Sequence, residues 1–318
     1  MQNNKKVVPV FFSSDENYLP FMAVALKSIK ENTSKDTHYK VYVLCEDIPV
    51  DKKDKLDFLI DDTMTIDFID VGFKVNPIRK EMHDTLRDYY TLSIFYRLFI
   101  PTLFPEYDKA IYIDSDIVVL DDLTSLFDID IKDTLLGVVV DQVVSNAEPF
   151  KYYTKKHIGV DANHYFNSGV LLMNLSALRN FRLEEKFVSI IKTHVLETVA
   201  PDQDYLNYLC KDKVTYLHAG WDKMSITDKD MPISDVKLIH YNMFNKPWRY
   251  DDVPYETYFW KYANATPFGG YLNDIKQNYP EDKKILDAKS GEVLLANAMR
   301  IADSGNTFVN VLGESYEK

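Results

Sequence analysis

The sequence predicts an α/β protein built on a mixed, mainly parallel sheet flanked by helices, and three observations carry that prediction. Apolar runs alternate with stretches of helical spacing through the first half of the chain. Several of these runs end in small or acidic turn residues, as strands do before a crossover. At 318 residues, with 46% apolar and 14% aromatic content, the chain can bury a full core.

Taken in order, Val7 to Ser14 reads as a strand that ends in Ser-Ser-Asp. Tyr18 to Ile29 has helical spacing, with Asn17 as its expected cap. Tyr39 to Cys45 is a second strand, residues 51–60 a second helix, and Thr63 to Val71 a third strand. Residues 91–100 read as helical, and Lys109 to Asp114 and Leu135 to Asp141 as strands. Phe166 to Leu175 follows as an extended run, then helical patterns near 183–197 and 202–210 and short strands near 213–218 and 236–240. Residues 248–262 hold seven aromatics, Pro267-Phe268-Gly269-Gly270 reads as a breaker, and a helical stretch is expected around 291–302. The expected boundary separates a main domain, 1–268, from a C-terminal helical appendage, 269–318.

Composition excludes several functions. A net charge of −12 argues against a nucleic-acid partner. Cys45 and Cys210 are too few and too far apart for a disulfide framework or a cysteine-rich metal site, so a reducing, cytoplasmic setting is expected. The opening residues lack the apolar core, about 7–15 residues long, of a signal peptide. No run reaches the roughly 18 apolar residues of a membrane span. Residues 271–318 carry six basic and eight acidic groups, unlike a polybasic anchor, and peripheral contact with a membrane is not the favoured reading. The chain has 10 glycines, and no two are spaced as G-x-G. That removes the dinucleotide fingerprint and the P-loop, so any nucleotide phosphates must be held by metal and side chains.

The chemistry centres on Asp114-Ser115-Asp116, which separates the apolar runs 110–113 and 117–120. In extended chain, residues i and i+2 point the same way, so both carboxylates converge at a strand's carboxyl edge. Two acids aimed at one point call for a cation, and carboxylate oxygens suit Mg²⁺ or Mn²⁺. A diphosphate is the substrate such an ion serves. Far along the chain, His240 closes the run Val236 to Ile239, another strand-end placement. A neutral imidazole added to two carboxylates favours Mn²⁺. Lys246, six residues on, can bring a point charge to a diphosphate. Taken alone, His240 reads more readily as a satisfied surface histidine and Lys246 as a solvated loop lysine.

These residues carry a resemblance. Phe12-Ser13-Ser14-Asp15-Glu16-Asn17-Tyr18 with Ala23 to Ser28, Tyr96-Arg97-Leu98, Tyr112 to Asp116, Phe166 to Val170, Asp202-Gln203-Asp204, and His240 with Lys246-Pro247-Trp248 stand in one order over about residues 7–268. In these blocks the chain resembles the family 8 glycosyltransferases, retaining enzymes of GT-A fold that include bacterial lipopolysaccharide galactosyl- and glucosyltransferases and glycogenin.

The resemblance implies that Asp114, Asp116 and His240 bind Mn²⁺, with Mg²⁺ as the alternative, and that the donor is UDP-glucose or UDP-galactose. Asp15 and Asn17 match residues that hold uracil and ribose. Arg97 and Asp141 match residues that grip the donor sugar, Ser115 lies within the donor-binding triplet, and Lys246 matches the lysine on the β-phosphate. Asn167 and Gln203 match positions beside the anomeric carbon, with Asp202 adjoining. Asn167's segment reads equally as a bend in a strand, and Asp202-Gln203-Asp204 as the acidic first turn of a helix after Pro201. A carboxamide oxygen has little basicity, so Gln203 reads as an electrostatic aid to front-face attack.

The acceptor is expected to be a saccharide or glycoconjugate, contacted by Asp88 to Thr91. There Tyr89-Tyr90 stands where lipopolysaccharide-type relatives carry a His-Ile-Ser-like stretch. The alternative is a catalytically silent relative that binds a nucleotide sugar or a partner. Loss of a metal ligand or of Gln203 would mark that case, and all are present.

Overall fold

The computed structural model describes residues 5–85, 91–226, 231–313 and 316. In chain order its strands are β1 (Lys6–Ser13), β2 (Thr37–Cys45), β3 (Met64–Asp70), β4 (Lys109–Ile113), β5 (Ile117–Val119), β6 (Leu136–Val138), β7 (Val170–Asn174), β8 (Val214–Tyr216), β9 (Lys223–Met224) and β10 (Leu238–His240). The longer helices are α1 (Leu19–Glu31), α2 (Leu183–Thr193), α3 (Pro201–Cys210), α4 (Glu256–Ala263), α5 (Gly269–Gln277) and α6 (Glu281–Asp303), followed by the short α7 (Phe308–Leu312). The chain forms two compact units. One comprises Met1–Asp70, Ala110–Asp130 and His218–Asp287, and the other Val71–Lys109, Ile131–Leu217 and Ala288–Lys318.

In the first unit the strands run β3-β2-β1-β4, all parallel where they pair. Val8, Val10, Phe11 and Phe12 of β1 are all fully buried, as expected of a parallel strand covered on both faces. β1 meets β4 at Val10 and Phe11, one residue past Pro9, whose ring cannot donate to a ladder. Because β1 pairs with β2 on one side and β4 on the other, the strand order reverses beside β1. Open α/β sheets bind ligands at the carboxyl ends of such strands. β1 ends at Ser13 and β4 at Ile113, so Asp15 and Asp114 both lie just past that edge.

A second, small sheet in this unit orders β5-β10-β9. β10 runs antiparallel to β5 with His240 opposite Ile117, and parallel to β9 with His240 opposite Met224. The backbone N–H of Tyr241 donates to the carbonyl of Asp116 at 2.9 Å, extending the ladder to the acidic triplet. Beneath it lies a core of Phe21, Val118, Ile239, Trp248, Phe259 and Tyr262, among others. The aromatic cluster at 248–262 therefore packs into and against this core. Trp248, Phe259 and Tyr262 are each no more than 2% exposed.

In the second unit β6 lies between β7, antiparallel to it, and β8, parallel to it. Every residue of α3 is buried. Phe187 of α2 meets Tyr205 of α3 edge-on at 5.2 Å, and Phe308 of α7 meets Tyr205 at 5.0 Å.

Several boundaries differ from the expected ones for identifiable reasons. Asn17 does not cap α1. The helix begins at Leu19, and Asp15 Oδ1 accepts from the N–H groups of Asn17 (2.9 Å) and Tyr18 (3.1 Å), closing the preceding turn itself. Residues 92–99 wind as a 3₁₀ helix before a short α-turn at Ile100–Leu103. Pro267-Phe268 separates α4 from α5, but Gly269 and Gly270 open α5 instead of breaking the chain. A Cβ on Gly269 would sit 2.9 Å from the Ala263 carbonyl oxygen, which is why glycine fits there. α6 starts ten residues before the expected stretch, at Glu281, because its first half has no buried stripe to reveal it. Among the described residues, no helix is long and apolar enough to cross a membrane.

Candidate active site

Two groups of polar side chains, one in each unit, gather the residues singled out in the sequence. In the first unit Asp114, Ser115 and Asp116 form the bend between β4 and β5. The pairing of β10 with β5 brings His240 alongside. One ligand atom from each of Asp114, Asp116 and His240 lies within 4.8 Å of the others, an arrangement able to hold a metal. His240 Nε2 is 3.3 Å from Asp116 Oδ1 and 4.0 Å from Asp114 Oδ2. On the opposite side of the ring, Nδ1 donates to Asp222 Oδ1 at 2.9 Å. With the proton on Nδ1, the Nε2 lone pair faces the two carboxylates. A carboxylate behind a histidine is the usual device for orienting a metal-binding imidazole. Asp222, just before β9, escaped the sequence reading because Trp221-Asp222-Lys223 has no spacing that ties it to His240.

Charge in this cluster is tightly balanced. Burial of His240 opposes the imidazolium, but the carboxylates of Asp222 and Asp116 outweigh it and push its pKa up to about 10. Burial of Asp116 likewise opposes its charge. The Lys246 ammonium and His240 reverse that and hold Asp116 well below the usual carboxylate range. Lys246 Nζ donates to Asp116 Oδ2 at 2.5 Å and also to the carbonyl of Tyr241. Two carboxylates and one imidazole with an outer carboxylate suit a divalent ion such as Mn²⁺, which would replace the proton the cluster otherwise attracts.

The rest of the triplet is fixed by neighbours. Tyr112 Oη donates to Asp114 Oδ1 at 2.8 Å. Ser115 is buried, and its hydroxyl donates to the Ser13 carbonyl at 3.2 Å, tying the bend to the end of β1. Asp15 Oδ1 is engaged in its own turn, and Asn17 is exposed.

The second unit holds Arg97, Asp141, Asn167, Asp202 and Gln203, all buried. Gln203 Nε2 donates to Asp141 Oδ2 at 3.1 Å, and Gln203 Oε1 accepts from the N–H of Ser168 at 3.0 Å. Asn167 Nδ2 donates to the same Asp141 oxygen at 3.1 Å, and Asn167 Oδ1 accepts from the N–H of Gly169 at 2.8 Å. Asp141 Oδ1 in turn accepts from the N–H groups of Val143 and Val144. Arg97 donates to the carbonyls of Ile94 and Ser168, and its Nε lies 3.2 Å from Asp202 Oδ2. Ser168 Oγ donates to that same carboxylate oxygen at 2.8 Å. α3 starts at Pro201 as expected, with Asp202 and Asp204 in its first turn.

Two supports in this unit were not anticipated. Asn207, one turn past Gln203, accepts from the Phe166 N–H at 2.9 Å and donates to the Phe166 carbonyl at 2.8 Å, fixing the segment that carries Asn167. Asp204 accepts from Tyr153 Oη at 2.6 Å and Tyr165 Oη at 2.7 Å. Burial raises its pKa to about 6, against the pull of those hydroxyls. The i, i+4 spacing of Gln203 and Asn207 was the signal available for the first. Of the expected acceptor segment, Asp88 to Tyr90 lies outside the described residues.

The mixed, mainly parallel sheet flanked by helices, with its acidic triplet past a strand end, has the GT-A type fold of its glycosyltransferase neighbours. The chain belongs to glycosyl transferase family 8, whose model matches residues 9–252. It is similar to a putative glycosyltransferase of Haemophilus influenzae, 29% identical over 226 residues, covering 70% of this chain and 64% of that one. A lipopolysaccharide 1,2-glucosyltransferase of Escherichia coli is 25% identical over 301 residues, covering 88% and 86%. Among solved structures, the galactosyltransferase LgtC in complex with donor and acceptor sugar analogues shares 26% identity at a TM-score of 0.66, covering 82% of this chain and 96% of that one. The chain thus spans a little under two thirds of the Haemophilus relative's length.

Proposed function

We propose that the protein transfers a hexose, glucose or galactose, from a UDP-sugar to a hydroxyl of a saccharide or glycoconjugate, with retention at the anomeric carbon. The observation that carries this reading is the cluster of Asp114, Asp116 and His240, oriented by Asp222 and flanked by Lys246. In this reading the cluster holds Mn²⁺, with Mg²⁺ the alternative ion. Bound there, the ion neutralises charge on the departing diphosphate.

The chain's own residues do the rest. Lys246 exchanges its contact with Asp116 for the β-phosphate and stabilises charge that grows only as the glycosyl bond breaks, the kind of binding that raises rate. Asp15 and Asn17 receive the uracil and ribose. Ser115 contributes through its main chain, since its hydroxyl is turned to Ser13. Arg97 and Asp141 hold the donor sugar, and Asn167 and Gln203 lie beside the anomeric carbon. Gln203 has its oxygen on the Ser168 N–H and its amide nitrogen on Asp141, which favours steadying an oxocarbenium-like state over nucleophilic attack. Asp202, bonded to Ser168 and paired with Arg97, keeps that arrangement in place.

In the front-face step, the acceptor oxygen bonds to the anomeric carbon on the side from which UDP leaves. The C1–O–phosphate bond breaks and the acceptor proton passes to the leaving phosphate. Residues 1–268 contain every role assigned here, with 269–318 as the appendage. The test is UDP release from UDP-glucose and UDP-galactose, with and without added Mn²⁺, for wild type and Asp116→Asn. Metal-stimulated release that the substitution abolishes is expected. Equal release with and without Mn²⁺, by wild type and Asp116→Asn alike, would end the reading.

A further inference from the structure

The C-terminal appendage reaches the turn that carries Lys246. The N–H groups of Arg249 and Tyr250 both donate to the Lys246 carbonyl, at 2.9 and 3.0 Å, so Lys246 to Tyr250 is one compact turn. Its near side is set by Trp248, buried against Phe21 (4.3 Å between ring centres) and Phe259 (5.0 Å). Its far side is held from the appendage. Asp287 Oδ2, in the second turn of α6, accepts from Tyr250 Oη at 2.9 Å and Arg249 Nη1 at 3.4 Å. The same oxygen accepts from Tyr279 Oη at 2.7 Å, and the Tyr279 ring lies 5.3 Å from the Arg249 guanidinium carbon. Next to it, Lys276 of α5 bridges Asp251 at 2.8 Å and Glu256 at 3.2 Å.

Lys276, Tyr279 and Asp287 all lie beyond residue 252, where the family match ends. Together they hold residues 249–251 and 256. A carboxylate oxygen that gathers a guanidinium and two hydroxyls makes charge-assisted bonds, stronger than neutral ones. Part of the turn's restraint therefore comes from outside the matched region.

We propose that Asp287 is a positioning residue for the diphosphate end of the donor. By fixing Arg249 and Tyr250, it sets the reach of Lys246 Nζ, and it gives the appendage a part in donor binding. This rests on Lys246 being the diphosphate contact proposed above. Asp287 acts through Lys246 and not on the metal, whose ligands it does not touch.

The test is calorimetric titration of UDP into Mn²⁺-saturated protein, for wild type, Asp287→Ala, Asp287→Glu and Tyr250→Phe, with Mn²⁺ alone titrated in parallel. Tyr250→Phe removes a single hydroxyl and so guards against a misfolded Asp287→Ala. Asp287→Ala is expected to weaken UDP binding about tenfold and Tyr250→Phe about threefold, the size of losing one or two charge-assisted bonds. Asp287→Glu should recover part of the loss, and Mn²⁺ affinity should move less than about twofold, since the ligands are untouched. In a Lys246→Ala background, Asp287→Ala should cost nothing further. Unchanged UDP binding in Asp287→Ala, or the same loss in the Lys246→Ala background as in wild type, would overturn the positioning role alone. A wild type that binds no UDP would sink the underlying reading and this one with it.

Discussion

His240 and Asp222 share a 2.9 Å hydrogen bond that turns the other ring nitrogen of His240 toward Asp116. The pair exists because β9 and β10 lie side by side, Lys223 opposite Ile239, so the residue before β9 falls behind the residue that ends β10. Asp222→Asn keeps the shape but no longer fixes the proton on Nδ1. Mn²⁺ affinity should fall about 10–100-fold, the usual cost of losing such a support. Titration of Mn²⁺ followed by electron paramagnetic resonance measures this directly, and an unaltered affinity would remove Asp222 from the account.

Lys246 is expected to act on the departing diphosphate more than on the metal. Lys246→Ala should lower kcat/KM for UDP release about 100-fold, as loss of one stabilising charge at a developing anion typically does. It also frees Asp116 from its cationic neighbour. Mn²⁺ affinity should therefore hold or rise, and a parallel collapse of metal binding would show that the lysine serves the cluster and not the donor.

Asn207 is expected to matter for stability first. Asn207→Ala leaves the buried N–H and carbonyl of Phe166 without their partner, at a cost of about 2–4 kcal/mol for two orphaned groups. Urea unfolding gives the number. A loss under about 0.5 kcal/mol, the range of inert surface changes, would mean water or a neighbour replaces the side chain.

His157 predicts a pH dependence of stability. It is fully buried between Tyr153, stacked at 4.8 Å, and Phe308, edge-on at 5.1 Å. Burial lowers its pKa to about 4, against a weaker opposing pull from Glu197. The unfolded chain takes up a proton near pH 6.5, while the folded chain refuses it until about pH 4. Between those values the unfolded state binds more protons, so stability falls as pH falls. The full loss is about 3 kcal/mol, from a shift of about 2.5 units. Unfolding curves from pH 7 to 4 should show that loss in wild type and a flatter profile in His157→Leu. Parallel profiles would exclude His157 as the source.

How much of this was legible in the sequence follows from what local pattern can encode. β1 and β4 are mostly apolar, β2 closes on an apolar run and β3 mixes apolar with polar residues, and the Asp114-Ser115-Asp116 bend declares itself at the end of β4. α3 opens at Pro201 with its acids in the first turn, as read. β10 was legible as the short strand near 236–240, but its pairing into a small sheet was not, since β5 has three residues and β9 only two, too few for a period to show. Yet that sheet decides where His240 sits. Asn17 looked like the cap of α1 because its residue type suits one, whereas Asp15 two residues earlier had already closed the turn. Asp222 and Asp287 were invisible for a common reason. Each acts on a partner at least 18 residues away, through pairing that only the folded chain supplies.

The central claim is that Asp114, Asp116 and His240 hold a metal through which the protein grips the diphosphate of UDP. Its most direct test is calorimetric titration of UDP into wild type and Asp116→Asn, each with and without Mn²⁺. The account predicts tight binding only for wild type with Mn²⁺, and at least about tenfold weaker binding in the other three cases. UDP bound equally well without metal, or by Asp116→Asn, would contradict it.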